Sequence, residues 1–361
     1  MTKVTIIGSG LMGSAIGFPL AENGHDVRLV GTHLDRDIIA SCKTRRIHPK
    51  LRRELPAAMT PYYVEELPQA MDGTEVVVGG VNSDGVHWLG QTLAAHLRPE
   101  HLLISITKGL DVDPDGEMRI LPDVLAAELP ASLRDRVSPA AVGGPCIAGE
   151  LAGRRQTCVV FGARDRAVVD RLAPLFRTAY YHVWTTADLV GLEISAALKN
   201  AFALSVGLVS GLLEAAGGVD AADAHMHNTA AAVFAQGCTE IERMLRLAGA
   251  TREFASGLPG PGDMYVTSMG GRTVRLGRLL GAGHAFDEAR RKLAGETLES
   301  VEIVRGMSRA IPRWQAEGRL GPRELPLLRM LAEVIVQGKP VHLPFEDFAW
   351  PQAVAEVRAR T

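Results

Sequence analysis

Residues 1–187 read as an α/β domain built on a doubly wound, mainly parallel sheet, and residues 188–361 as an all-α domain. Three observations predict this. Short apolar, β-branched runs alternate with helical patterns through the first half. A glycine-rich turn follows directly on the first of those runs. From about Asp188 the alternation gives way to long segments rich in Ala, Leu and Val at helical spacing.

The candidate strands are Val4–Gly8, Asp26–Val30, Glu75–Gly79, Leu102–Thr107, Ser138–Gly143 and Thr157–Phe161, each bounded by turn or polar residues. The domain boundary falls between Thr186 and Leu189. Beyond it, Leu192, Ala196, Lys199 and Ala203 share one side of a helix, and Gly207 and Gly211 allow a neighbouring helix to come close.

A length of 361 residues with 47% hydrophobic content supports two sizeable cores. The formal net charge of −2 leaves no global basic field for nucleic acid or an acidic membrane, so the expected partners are small molecules and a second copy of the chain. Cys42, Cys146, Cys158 and Cys238 are scattered, with neither disulfide nor metal-ligand spacing, which predicts buried thiols in a reducing cytosol and no metal site. The N-terminus enters a strand at once and carries no signal pattern. The most apolar stretch, Ala196–Leu213, holds Lys199, Asn200 and two glycines, and so reads as a buried helix rather than a membrane span.

The first turn is Gly8-Ser9-Gly10-Leu11-Met12-Gly13, opening a helix after a strand, as in the Rossmann dinucleotide fingerprint. In that pattern Gly8 makes the turn, Gly10 lets the backbone approach a pyrophosphate, and Gly13 brings helix and strand together. After the second strand the chain reads Val30-Gly31-Thr32-His33-Leu34-Asp35-Arg36, without an acid where a ribose 2'-hydroxyl is usually bound. Thr32, His33 and Arg36 suit a 2'-phosphate, which leans the reading toward NADP; a solvated connection fits them equally, and NAD or NADP stays open.

Carbonyl reduction needs a proton donor at the developing alkoxide, and a lysine serves when burial or nearby charge brings it toward neutrality. Lys199 interrupts an otherwise apolar helix in Glu193-Ile194-Ser195-Ala196-Ala197-Leu198-Lys199-Asn200, a costly position without a purpose. Lys108, in Ser105-Ile106-Thr107-Lys108-Gly109, sits at a strand exit, the edge where open α/β sheets collect ligands, and can hold an anion or polarise a substrate oxygen. A third cluster, Gly260 to Thr273, supplies Asp263, Thr267 and Arg272 on one glycine-rich segment. The planar fork of Arg272 suits a phosphate, Thr273 can add a contact, and Asp263 can orient Lys199 or accept from a substrate hydroxyl.

In order, Gly8 to Gly13, Thr107-Lys108-Gly109, Gly144-Pro145 with Ala148 and Glu150, Asp188 to Asn200, Asn228, and Gly260 through Arg272 to Gly277 resemble the NAD(P)-dependent glycerol-3-phosphate dehydrogenase family. The resemblance implies reversible reduction of dihydroxyacetone phosphate to glycerol 3-phosphate by a cytoplasmic homodimer that supplies the glycerolipid backbone for phospholipid biosynthesis. It implies Lys199 as proton donor and acceptor, Lys108 as substrate-binding and polarising residue, Asp263 and Thr267 completing the pocket, Asn200 and Arg272 on the substrate, and Ala148 at the cofactor. Gly295-Glu296-Thr297-Leu298-Glu299 loosely resembles the family's cofactor-closing loop, which makes Glu296 and Glu299 candidate cofactor residues; plain helix-surface acids fit there better.

The chain departs from the family pattern at Thr273, where Asn is usual, at Cys146-Ile147, where Ser-Phe is usual, and at Val30-Gly31, where an aromatic is missing. These changes touch the outline of the pocket and spare the hydride-transfer residues. A dehydrogenase for another phosphorylated polyol or for a hydroxy acid is therefore the alternative enzyme reading. A non-catalytic dinucleotide sensor is the alternative outside enzymology.

Overall fold

The computed structural model describes residues 1–348. Its chain folds as two compact units, one comprising Met1–Lys108 with Ile120–Glu193, the other Gly109–Arg119 with the chain from Ile194 onward.

The first unit is built on an eight-stranded sheet. Its strands are β1 (Lys3–Ile7), β2 (Asp26–Val30), β5 (Met59–Tyr62), β6 (Val76–Gly79), β7 (Leu102–Ser105), β10 (Ala140–Gly143), β11 (Thr157–Gly162) and β12 (Tyr181–Thr186). The gaps in number are two small hairpins, β3 (Ile47–His48) with β4 (Arg53–Glu54), and β8 (Leu110–Val112) with β9 (Met118–Ile120). The order β12-β11-β10-β7-β6-β1-β2-β5 reverses direction on either side of β1, and every pairing is parallel except β10 with β11. This is the doubly wound arrangement, with the six strands read from the sequence inside it and β5 and β12 added at its two edges.

Both faces of the sheet are covered, which is why its strands read as continuous apolar runs. Because alternate residues point to opposite faces, Val76 and Val78 join one buried cluster with Val4, Ile6, Val27 and Leu29, while Val77 joins another with Ile7, Val30 and Leu103. Helix Arg36–Arg45 contributes Ile38, Ile39 and Cys42 to the first cluster, and helices Val86–Ala94 and Leu121–Ala127 contribute Leu89, Leu93, Val124 and Leu125 to the second.

Among the described residues, the regular elements of the second unit are helices apart from β8 and the start of β9. Helix Leu189–Ala215 begins in the first unit and continues through the second. It is long and apolar enough to cross a membrane, and 78% of its most apolar window is buried. Its Gly207 and Gly211 meet Gly277 and Gly281 of helix Arg272–Gly281. A side-chain carbon at Gly207 would lie 2.6 Å from the Val274 carbonyl oxygen, and one at Gly211, Gly277 or Gly281 would collide with the backbone of the facing helix. The close approach expected of Gly207 and Gly211 is thus made by glycines from both helices, and it fixes Lys199 and Arg272 within one rigid pair.

Glu240 of helix His227–Leu247 accepts from the amides of Leu327 (2.7 Å) and Leu328 (3.1 Å), tying that helix to the start of Pro326–Gln337. Residues 349–361, at the end of the segment assigned to the helical domain, lie outside the described residues.

Candidate active site

In the first unit β1 runs straight into the glycine turn. Gly8 has φ +113°, and a side-chain carbon there would lie 2.5 Å from the carbonyl group of Gly80, at the exit of β6. One at Gly13 would collide with the Gly8 carbonyl oxygen. Both positions are therefore required by packing. Gly10 differs: its φ is −63°, open to any residue, and an added carbon would meet nothing within 4 Å. The bare backbone at Gly10 faces open space rather than protein, which fits a pyrophosphate lying against it.

Ser9, between these glycines, is clamped from two sides. Its amide donates to Asp35 Oδ2 (3.2 Å), and its carbonyl oxygen accepts from His48 Nε2 (3.0 Å). The tautomer follows from geometry: Leu51 N donates to His48 Nδ1 (3.0 Å), so Nε2 carries the proton. Burial lowers the pKa of this ring and keeps it neutral. Leu11 is exposed at the start of the helix that Met12 and Gly13 continue, and Ala148, first residue of helix Ala148–Ala152, is buried where that helix packs against Leu11–Ala15.

At the exit of β2, Asp35 Oδ2 also accepts from the amide and the hydroxyl of Thr32, both at 2.9 Å. Asp35, which carried no role in the sequence reading, thus joins the two loops of the dinucleotide site, and the local signal for it is its place three residues after Thr32. His33 is exposed, edge-on to Trp88 at 5.6 Å. Arg36 lies over the Tyr63 ring at 5.0 Å and pairs with Glu65 at 2.9 Å.

Lys108 follows β7 and donates from Nζ to the carbonyl oxygen of Gly144 (3.1 Å), beyond the end of β10. Its positive charge acts on Glu193, which is 1% exposed and whose carboxyl oxygens accept no hydrogen bond among the described residues. Burial raises this carboxyl from 4.5 to about 8, and the nearby Lys108 charge opposes the shift without cancelling it.

In the second unit Lys199 is 7% exposed. Its Nζ donates to Thr267 Oγ1 (2.7 Å) and to Asp263 Oδ1 (3.1 Å). Asp263 is 3% exposed and opens helix Asp263–Ser268, so that Thr267, four residues on, falls on the same face. The wide turn Leu258–Gly262, with Pro259 and Pro261, delivers that helix to the lysine. Lys199 therefore forms one cluster with Asp263 and Thr267, which lie more than sixty residues further along the chain.

Asn200 is buried beside this cluster. Its Nδ2 lies 3.5 Å from Glu299 Oε2, and Arg272 Nη2 donates to Glu299 Oε1 at 3.0 Å. Thr273 is buried in the first turn of the helix that Arg272 begins. Glu296 pairs with Arg275 (2.8 Å) and belongs to the second unit, whereas the glycine turn belongs to the first.

Residues 3–169 match the NAD-dependent glycerol-3-phosphate dehydrogenase N-terminus and residues 188–345 match the corresponding C-terminus. The chain belongs to this family. It is an NAD(P)-dependent oxidoreductase acting on a CH–OH group. It is 32% identical over 335 residues to an NADP(+)-dependent glycerol-3-phosphate dehydrogenase of Archaeoglobus fulgidus, covering 93% of this chain and 95% of that one. It is 30% identical to a glycerol-3-phosphate dehydrogenase [NAD(P)+] of Bacillus cereus, covering 94% and 93%. The crystal structure of glycerol-3-phosphate dehydrogenase from Coxiella burnetii shares the fold, with a TM-score of 0.77 at 23% identity over 98% of each chain.

Proposed function

We propose that this glycerol-3-phosphate dehydrogenase family member interconverts dihydroxyacetone phosphate and glycerol 3-phosphate, with Lys199 as the general acid and base. The observation that carries the reading is the buried Lys199 ammonium held by Asp263 and Thr267. When bound, NADH or NADPH would supply the hydride for reduction, and NAD or NADP would accept it in oxidation. As the carbonyl carbon of dihydroxyacetone phosphate gains that hydride, its oxygen takes the electron pair of the C=O bond, and Lys199 delivers a proton to it. In the oxidative direction neutral Lys199 removes the hydroxyl proton. Asp263 favours the charged lysine, the form that donates the proton in the reductive direction, and the Thr267 hydroxyl fixes where its nitrogen points.

Lys108 binds and polarises the substrate oxygen, while Arg272, Asn200 and Thr273 hold the phosphate; a guanidinium is suited to two phosphate oxygens at once. Gly8, Ser9, Gly10, Leu11, Met12, Gly13 and Ala148 hold the dinucleotide, with Thr32, His33, Arg36 and Glu296 as further contacts. In this reading residues 1–187 are the dinucleotide-binding domain and residues 188–361 the substrate and catalytic domain. Family resemblance also supports a cytoplasmic homodimer whose glycerol 3-phosphate enters phospholipid biosynthesis.

The test is a spectrophotometric assay of NADH and NADPH against dihydroxyacetone phosphate, larger phosphorylated ketoses and carboxylated carbonyl compounds. Oxidation of a nicotinamide with dihydroxyacetone phosphate as the preferred acceptor is expected. Inactivity toward it, with turnover of another carbonyl compound, would overturn the substrate assignment.

A further inference from the structure

Arg272 occupies the first position of helix Arg272–Gly281, following Gly271. A helix N-terminus carries partial positive charge, so a cation there is poorly placed unless an anion joins it. The anion is Glu299. Its carboxylate spans both groups proposed to grip the substrate phosphate, with one oxygen 3.0 Å from Arg272 Nη2 and the other 3.5 Å from Asn200 Nδ2. Asn200 is buried, and this contact gives its side-chain amide an acceptor. The loop ahead of Glu299 is tied to the same helix a second time, through Glu296 and Arg275 at 2.8 Å. A carboxylate therefore already sits where the guanidinium and the amide converge.

We propose that Glu299 is an internal stand-in for the substrate phosphate and sets the affinity of the site, because a phosphate ligand binds by displacing its carboxylate from Arg272 and Asn200. The proposal rests on the assignment of Arg272 and Asn200 to phosphate binding. The Glu299 carboxylate takes up Arg272 Nη2, so a phosphate that uses that nitrogen displaces it. The pair is partly exposed, with side-chain exposures of 43% and 26%, which places the competition in the range of a modest surface ion pair rather than a buried one.

The experiment measures binding of inorganic phosphate to the full chain by calorimetry, together with KM for dihydroxyacetone phosphate, in Glu299→Gln, Arg272→Ala and the double variant. Glu299→Gln keeps the shape and removes the charge, with Glu299→Ala as a second form should the amide disturb folding. The expected result is tighter phosphate binding and a lower KM in Glu299→Gln, both by a common factor of about two- to tenfold. In the Arg272→Ala background the Glu299→Gln change should tighten phosphate binding by less than it does in the parent chain. Unchanged or weakened phosphate binding in both Glu299 variants would overturn the proposal and make Glu299 a support for Arg272. Undiminished phosphate binding in Arg272→Ala would instead overturn the phosphate assignment beneath it.

Discussion

The ammonium of Lys199 donates to the hydroxyl of Thr267 across 2.7 Å, from a position 68 residues earlier in the chain. Lys199 also reaches Asp263, so its nitrogen is held by two partners that arrive on one short helix. These contacts fix where the ammonium nitrogen sits, a condition that the proposed proton transfer needs.

Thr267→Val keeps the volume and the β-branch but removes the acceptor. We expect kcat/KM for dihydroxyacetone phosphate to fall by roughly ten- to a hundredfold, with Thr267→Ser close to the parent chain. Steady-state kinetics of the two variants checks this, and equal losses in both would show that the methyl group rather than the hydroxyl matters.

Gly10 and Gly13 predict opposite phenotypes. Gly10→Val places its side chain in open space, so thermal stability should hold while dinucleotide affinity collapses. Gly13→Ala puts a carbon into the Gly8 carbonyl and should cost about 1–3 kcal/mol in stability. Thermal melts beside fluorescence titration with NADH and NADPH separate the two; wild-type affinity in Gly10→Val would remove the pyrophosphate from that turn.

Glu193 makes stability depend on pH. Its carboxyl is raised from 4.5 to about 8 by burial, so across that window the folded chain keeps a proton that the unfolded chain has released. Stability should therefore fall as pH rises from 4.5 toward 8, by an amount on the order of 5 kcal/mol for this group. Glu240, raised to about 7, acts in the same direction. Glu193→Gln should flatten the slope and melt higher than the parent at pH 8, with little difference near pH 4.5. Parallel melting profiles for the two proteins would show that Glu193 does not hold its proton in the folded state.

Much of this was legible in the sequence where the signal is local. Val4–Gly8 and the turn after it stand out because a strand, three spaced glycines and a helix are contiguous. Lys199 stands out because a charge interrupts an apolar helix, and its partners because Asp263 and Thr267 fall in one compact glycine-rich cluster. The hairpin of β3 and β4 was not legible: strands of two residues hold no period, and Arg45-Arg46-Ile47-His48-Pro49 reads as a charged loop. His48 reaches Ser9 across 39 residues and Asp35 reaches it across 26, contacts that only the folded sheet creates.

The association of Gly109–Arg119 with the helical unit escapes the sequence for a similar reason. Arg309 donates from Nε to the carbonyl oxygen of Asp113 (3.0 Å), and Gly306 admits Val112, contacts made between segments almost two hundred residues apart. Glu299 looked like an ordinary surface acid because its role depends on Arg272 and Asn200, which lie on two other helices.

The measurement that tests the central claim most directly is the turnover of Lys199→Met with dihydroxyacetone phosphate and saturating NADH or NADPH, alongside nicotinamide binding to the same protein. A proton donor at Lys199 predicts a loss in kcat of about a hundredfold or more with dinucleotide affinity retained. A kcat within about threefold of the parent chain would contradict it.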